Sequence, residues 1–277
     1  MEMKIDKTEL TEILEKAEMK GRYYDGNKSK NASLANYAYC LVEGNGAYSA
    51  GQGILFVYNA DLTTGCGFRS EVQTNDEGMT PFILDIIKTK AYLKPFTDEV
   101  TLTVGDYLTI SDGCEIAKLP LVTEHPARDM IKLISGRFNK LVNPVKQYLD
   151  DMDDEDATPA FEYAVFGKTE YECGLTTTGR QLAEAVKACD AVDLARYKID
   201  TNGETVTLSS ERNITDSFTY QLDDVGLFGE PATMEFTGDI LKFVQGEKMV
   251  QVHIKDDSPL ILMTPNSLLV KAPYLTR

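Results

Sequence analysis

The feature that most constrains this chain is recurrence. A mid-chain acid run, Asp150, Asp151, Asp153, Asp154, Glu155 and Asp156, is flanked on both sides by the same order of helix and strand signals. Before it, Leu10, Ile13, Leu14 and Ala17 lie on one stripe of a helix over 8–20, with Asp6 or Thr8 placed to cap it. Strands are expected at 38–42, 54–58 and 68–73, separated by the turns Gly44-Asn45-Gly46 and Thr63-Thr64-Gly65. A second helix is expected over 81–93, with Pro81 in its first turn and Pro95 just past its end. Val100, Leu102 and Val104 then alternate, Gly105-Asp106 turns, and Leu108, Ile110 and 116–122 follow.

After the acid run the order returns. Strands are read at 161–166 and 171–175, and a helix over 178–189 carries Leu182, Val186 and Cys189 on one face. Strands at 197–200, 205–209 and 218–222 lead to a short helix near 238–245. Val250, Val252 and Ile254, the turn Asp256-Asp257, and strands at 260–263 and 268–270 finish the chain. The segments Val100 to Asp106 and Val250 to Asp256 superpose at a constant offset, each behind a short helix. An internal duplication follows: an α+β chain of two similar domains, 1–124 and 160–277, each with two short helices whose apolar stripes lie on antiparallel sheets. The connector, 125–159, contains Met130, Ile131, Leu133, Ile134, Phe138, Leu141, Val142 and Val145, interrupted by Gly136 and Pro144. So many apolar side chains predict a partly helical segment lying on the protein rather than a free tether.

Several function classes fall away. No run approaches the ~18 apolar residues of a membrane span, and the start lacks the basic-then-apolar order of a signal peptide, so an intracellular protein is expected, in the cytoplasm of an archaeal, bacterial or virus-infected cell. The five cysteines are scattered without a CxxC pair, which predicts reduced thiols and neither a disulfide framework nor a zinc site. His125 and His253 sit in different halves and read as structural. Neither a nucleophile elbow nor a Walker loop occurs, and Gly44 to Ser49 lacks the third glycine and following helix of a dinucleotide site. Asp151, Asp153, Glu155 and Glu162 approach an EF-hand spacing, but Asp156 stands where the sharp turn needs glycine. No catalytic residue, metal or cofactor is expected.

What remains is charge. The chain has 44 acidic and 28 basic residues, a formal net charge of -16, so it should be repelled by nucleic acid unless its cations are gathered on one surface. The four helices offer Lys16 and Lys20; Lys88, Lys90 and Lys94; Arg180 and Lys187 around Glu184; and Lys242 and Lys248. Because each apolar stripe must face a sheet, these cations project to the opposite side. Pooled on one side of a sheet, they would contact phosphates without reading bases. Solvated surface lysines would look the same, so placement alone does not establish DNA binding.

The order Tyr171-Glu172-Cys173-Gly174-Leu175, a helix through Leu182 to Ala188, Gly203 between strands, Leu208-Ser209-Ser210, Ile240-Leu241-Lys242-Phe243, Pro259-Leu260 and Ala272-Pro273 resembles the second domain of the DNA sliding clamps, proliferating cell nuclear antigen and its archaeal and phage counterparts. The first half fits by pattern more than by identity. The resemblance implies two clamp-type domains per chain, three chains in a pseudo-sixfold ring around duplex DNA, and a non-enzymatic polymerase processivity factor. Its implied partners are double-stranded DNA, a DNA polymerase and other replication proteins, with a clamp loader as a further candidate. A partner's short hydrophobic peptide would lie against Pro259, Leu260, Ala272, Pro273 and Tyr274, with Leu133, Ile134 or Phe138 from the connector. The family pattern is not matched everywhere: the first helix carries Glu9, Glu12, Glu15 and Glu18, and the connector is longer and more acidic. A clamp-fold regulator that binds replication proteins without encircling DNA is the alternative that these departures leave open.

Overall fold

The computed structural model describes residues 1–18, 36–44, 51–61, 63–150, 164–193, 196–223, 225–238 and 240–274. Described residues up to 135 form one compact unit and those from 136 onward another.

In the first unit β1 (Glu2–Asp6) runs into α1 (Lys7–Ala17), and β2 (Tyr37–Gly44), β3 (Gln52–Ala60), β4 (Thr64–Gln73) and β5 (Gly78–Asp85) lead to α2 (Ile86–Leu93). β6 (Glu99–Val104), β7 (Tyr107–Ser111) and β8 (Ile116–Pro120) complete it. Every pairing is antiparallel, in the order β8-β7-β6-β1-β4-β3-β2-β5. The key register is Ile5 opposite Val100, which joins the strand before the first helix to the strand after the second. Both side chains are buried, as are Leu10, Ile13, Leu14 and Ala17 on the inner stripe of α1.

The second unit repeats that plan. After the hairpin β9 (Ala164–Phe166) and β10 (Thr169–Tyr171), β11 (Cys173–Thr177) enters α4 (Gly179–Cys189). β12 (Arg196–Thr201), β13 (Val206–Asn213), β14 (Asp216–Leu222), β15 (Gly226–Gly229) and β16 (Ala232–Thr237) precede α5 (Leu241–Val244), and β17 (Val250–Ile254), β18 (Leu260–Thr264) and β19 (Ser267–Lys271) follow. The order is β19-β18-β17-β11-β15 in one run and β14-β13-β12-β16 in another. With β14 and β15 read as two pieces of the strand equivalent to β4, this is the strand order of the first unit. Leu175 opposite Val252 repeats the Met3–Leu102 register, and Thr177 opposite Val250 repeats Ile5–Val100.

The duplication expected from the sequence is therefore present in the pairing. Four details differ. Residues 81–85 are strand, not helix: Pro81 lies opposite Leu41 on β5, which pairs only with β2, and an edge strand tolerates a residue without an N–H. Helix α2 starts behind Asp85, whose carboxylate accepts from the Lys88 N–H at 2.9 Å. The helix near 238–245 is a single turn, bounded by Gly238 and Gly246 at positive φ. The strand at 171–175 is broken at Glu172, and β1, β15 and β16 are strands beyond those expected from the sequence. The connector is more regular than its Gly136 and Pro144 suggest, forming one helix, α3 (Arg128–Asp150), with Ile131, Ile134, Phe138, Leu141, Val142 and Val145 buried. The residues of the EF-hand-like spacing (151–162) and the turn at Asn45-Gly46 lie outside the described residues.

The second unit contains a polar pair in its core. On β17, Gln251 and His253 are both buried, and the Gln251 amide nitrogen lies 3.0 Å from His253 Nε2, while Nδ1 has no partner. The rings of Tyr171 and Phe228 meet the imidazole edge-on. Burial holds the His253 pKa down at about 4 against an ordinary value of 6.5. Because the folded form binds its proton less readily than the unfolded form, stability is unaffected above 6.5 and falls as pH drops from 6.5 towards 4. His253→Gln should flatten this limb of the stability profile by roughly 1–2 kcal/mol at pH 5, read from urea midpoints of variant and parent at pH 7 and pH 5. Equal losses in both proteins would exclude His253 as a source of the acid sensitivity.

Candidate nucleic-acid interface

The helices of each unit pack in pairs, α1 with α2 and α4 with α5. Their caps are local and legible: Asp6 accepts from the Glu9 N–H at 2.9 Å, and Thr178 from the Gln181 N–H at 3.2 Å. In α4 the stripe Leu182, Ala183, Val186 and Cys189 is buried, each of the larger side chains contributing about 1.5–3 kcal/mol by its removal from water. Arg180, Glu184 and Lys187 are consequently exposed on the other side. Gly179 brings α4 against α5: its N–H donates to Glu247 O at 3.1 Å, and a Cβ there would run into the backbone carbonyls of Val244 and Glu247. Lys242 on α5 and Lys248 in the turn after it are both exposed.

The first unit is less cationic. Lys88 and Lys94 are exposed, with Lys88 3.8 Å from Asp85. Lys90 differs: its ammonium bridges Glu18 at 2.9 Å and Glu15 at 3.6 Å, and only 22% of its side chain is exposed. It is a bolt between α1 and α2, neutralised by two carboxylates, and cannot offer a full charge to an outside phosphate. Lys7, which sequence reasoning missed, is a second bolt, donating to Phe96 O at 2.5 Å and Lys94 O at 3.3 Å at the C-terminal end of α2. Glu12 and Glu15 are exposed on α1 and Lys16 is half-buried, so that helix presents an acidic face. Lys20 lies outside the described residues. The structure thus groups Arg180, Lys187, Lys242 and Lys248 in one unit and leaves Lys88 and Lys94 in the other.

The residues expected to meet a partner peptide separate in the same way. Ile134, Phe138 and Leu260 are buried, Ile134 packing over Gly65 of β4, so none of the three offers an open surface. Leu133, Pro259, Ala272 and Pro273 are half-buried. Pro259 is held through its carbonyl, which accepts from the buried Tyr171 hydroxyl at 2.6 Å. Pro273 forms an isolated bridge with Phe236, and the Tyr274 N–H donates to Glu235 O at 2.8 Å. Arg196 stacks over the Tyr274 ring at 4.5 Å while pairing with Glu235 at 3.3 Å. The tail is thereby laid along β16, leaving one side of Tyr274 open. A polar cleft of about 190 Å³ lies beside it, lined by Arg196, Lys198, Glu211, Arg212 and Glu235 among others.

Among the described residues there is no cluster of His, Cys, Asp or Glu able to hold a metal, and no helix is long and apolar enough to cross a membrane. All five cysteines are thiols outside any disulfide, and burial pushes Cys173 and Cys189 up to about 11, which keeps them protonated at neutral pH.

Gly179→Ala should cost about 1–3 kcal/mol, because the new methyl meets backbone rather than a movable side chain. A melting temperature equal to that of the parent would show that α4 and α5 are less tightly apposed.

No protein-family model matches the chain, and no curated protein is similar enough to count as a match. Solved structures do match. The DNA polymerase III subunit beta from Pseudomonas aeruginosa aligns over 100% of this chain at 12% identity with a TM-score of 0.66, and a DNA polymerase III beta subunit from Eubacterium rectale over 100% at 12% identity and 0.67. The DNA polymerase sliding clamp from Caulobacter crescentus aligns over 99% at 15% identity and 0.63. This chain spans 66% of the first two and 65% of the third, just under two thirds of their length. At such identities the likeness is one of architecture, and it settles the fold: this chain has the fold of the DNA sliding clamps.

Proposed function

We propose that this chain is a non-enzymatic DNA sliding clamp, a processivity factor that encircles duplex DNA and tethers a DNA polymerase and other replication proteins. The observation that carries the reading is a duplicated clamp architecture in which Lys88, Arg180, Lys187 and Lys242 are exposed on the paired helices, and Lys94 and Lys248 just beyond helix ends, on a chain of net charge -16. An acidic body repels DNA from its outside, while cations on the helix faces attract a threaded duplex at separations near the ~8 Å Debye length. Contact through flexible ammonium and guanidinium groups fixes no register, so the ring slides, and retention comes from topology rather than from affinity.

In this reading 1–124 and 160–277 are the two clamp domains, 125–159 is the connector, and three chains close a ring of six. Open sheet edges support closure. β8 ends one strand order and β14 ends another, and both carry apolar side chains in water: Ile116 is 70% exposed and Phe218 40%. An unpaired edge of this kind is a template for another chain, and antiparallel addition of β8 from one copy to β14 of the next satisfies both. A partner's hydrophobic peptide docks on accessible members of the expected set, Pro259, Ala272, Pro273 and Tyr274 in the second unit or Leu133 in the first, and not on the buried Ile134, Phe138 and Leu260. A clamp loader opens the ring where closure is too stable to breathe.

Reversing Lys88, Lys94, Arg180 and Lys187 to Glu should abolish retention on closed circular duplex DNA and stimulation of the cognate polymerase, while light scattering still finds the trimer. Undiminished retention would place the DNA elsewhere. The parent should be lost from the circle once the DNA is cut. A lasting monomer that binds polymerase without being retained would replace this reading with that of a regulator.

A further inference from the structure

The connector helix carries a charge pattern opposite to that of the chain. From Arg128 through Gln147 there are five basic residues, Arg128, Lys132, Arg137, Lys140 and Lys146, and one acidic residue, Asp129, whereas the whole chain has 28 basic to 44 acidic. Because Ile131, Ile134, Phe138, Leu141, Val142 and Val145 take the inner stripe, the opposite side of α3 is polar: Lys132, Asn139, Lys140, Asn143 and Gln147 are exposed, with Arg137 and Lys146 half-buried at its margins. Arg128 is paired with Glu124 at 3.4 Å. Among the described residues no carboxylate lies within ion-pair distance of Lys132, Arg137, Lys140 or Lys146. This contrasts with Lys90, whose charge is spent inside its own unit.

We infer that the outward face of α3 is a second nucleic-acid surface, which binds the phosphodiester backbone without reading bases and is separate from the four helices of the duplicated units. Lys132 to Lys146 spans about 21 Å of helix, long enough to follow several successive phosphates. The face has no apolar or aromatic residue at its centre. A protein partner needs such an anchor for a stable interface, and a single strand held by base stacking needs aromatic platforms. A polyanion needs neither. The exposed amides of Asn139 and Gln147, two helical turns apart, add hydrogen-bonding groups between the cations. The net charge of -16 does not forbid this contact, since at physiological salt only charges within roughly 8 Å are felt in full. Such a surface could hold DNA that no ring encloses, which the clamp reading does not require.

The test uses the full chain and a fluorescein-labelled linear 20-bp duplex in anisotropy titrations at 50 and 200 mM NaCl, without loader or polymerase. Four phosphate contacts predict that binding weakens on the order of 100-fold between the two salts. Replacing Lys132, Arg137, Lys140 and Lys146 with Glu should weaken binding at 50 mM at least about 10-fold and remove most of the salt dependence. The Gln versions of the same four positions should show the same direction and serve if the Glu protein melts early. In a background where Lys88, Lys94, Arg180 and Lys187 are already reversed, the α3 reversals should still weaken linear-duplex binding by the same factor to within about twofold. Unchanged binding by both α3 variants overturns the inference, as does loss confined to the Lys88, Lys94, Arg180 and Lys187 variant, which would leave the clamp reading standing. Binding of a poly-glutamate peptide through α3 with no binding of duplex would also overturn it, in favour of an acidic protein partner. Failure of retention on closed circles, with α3-dependent binding intact, would instead count against the clamp reading alone.

Discussion

The structure depends on one pairing made twice. β1 lies against β6, and β11 against β17, joining the strand that enters the first helix of a unit to the strand that leaves the second. The sequence distance between these strands is large, so the pairing is costly in loop entropy and must be held by burial. Ile5, Val100, Leu175 and Val252 supply it, and all four are buried. Once these strands are paired, the two helices of the unit emerge side by side, and their remaining contacts are consequences: Lys90 reaching Glu15 and Glu18, Lys7 reaching the carbonyls that end α2, and Gly179 pressed against the backbone of α5. A helix pair fixed in this way has little choice about which side faces water.

That fixed side is where the two units diverge. They share a strand order, yet α4, α5 and the turn after α5 show Arg180, Lys187, Lys242 and Lys248 against Glu184, while α1 shows Glu12 and Glu15. Duplication conserves the buried pattern because a slip of one residue would turn every apolar side chain outward, but it places no such demand on the exposed positions. In the first unit part of the charge has been turned inward. The Lys90 bridge is half-shielded from solvent, and removing Lys90 would take a cation from beside Glu18, only 11% of whose side chain is exposed. A cation used for packing is lost to an outside ligand, and the electrostatic work of a threaded duplex would fall mainly on the second unit.

How much of this was legible in the sequence follows from the range of the interactions. The α1 and α4 stripes and their caps were readable because they depend on residues three or four positions apart. The match of Val100–Asp106 to Val250–Asp256 was readable because β6 and β17 occupy the same place in each unit. Pro81 was misread: a proline suits a helix start and an edge strand equally well, and only the pairing of β5 with β2 decides between them. The Lys90 bridge was out of reach, since Glu15 and Glu18 are far from it in sequence. Ile134, Phe138 and Leu260 were correctly recognised as apolar, but nothing local distinguishes an apolar residue that receives a partner from one already covered.

The connector shows the same limit from the other direction. Gly136 and Pro144 argue for interruption, and each costs a helix something: glycine through backbone entropy, proline through a lost hydrogen bond of up to about 3 kcal/mol. Six buried apolar side chains along α3, at about 1.5–3 kcal/mol each, outweigh both, so the helix runs through. A continuous amphipathic helix has a consequence that a broken one lacks, because its polar residues are held in one sector. Lys132, Asn139, Lys140 and Asn143 share a face only because Gly136 does not end the helix. The burial that overrides two helix breakers is therefore also what gathers a stretch of excess positive charge in an acidic chain into a surface.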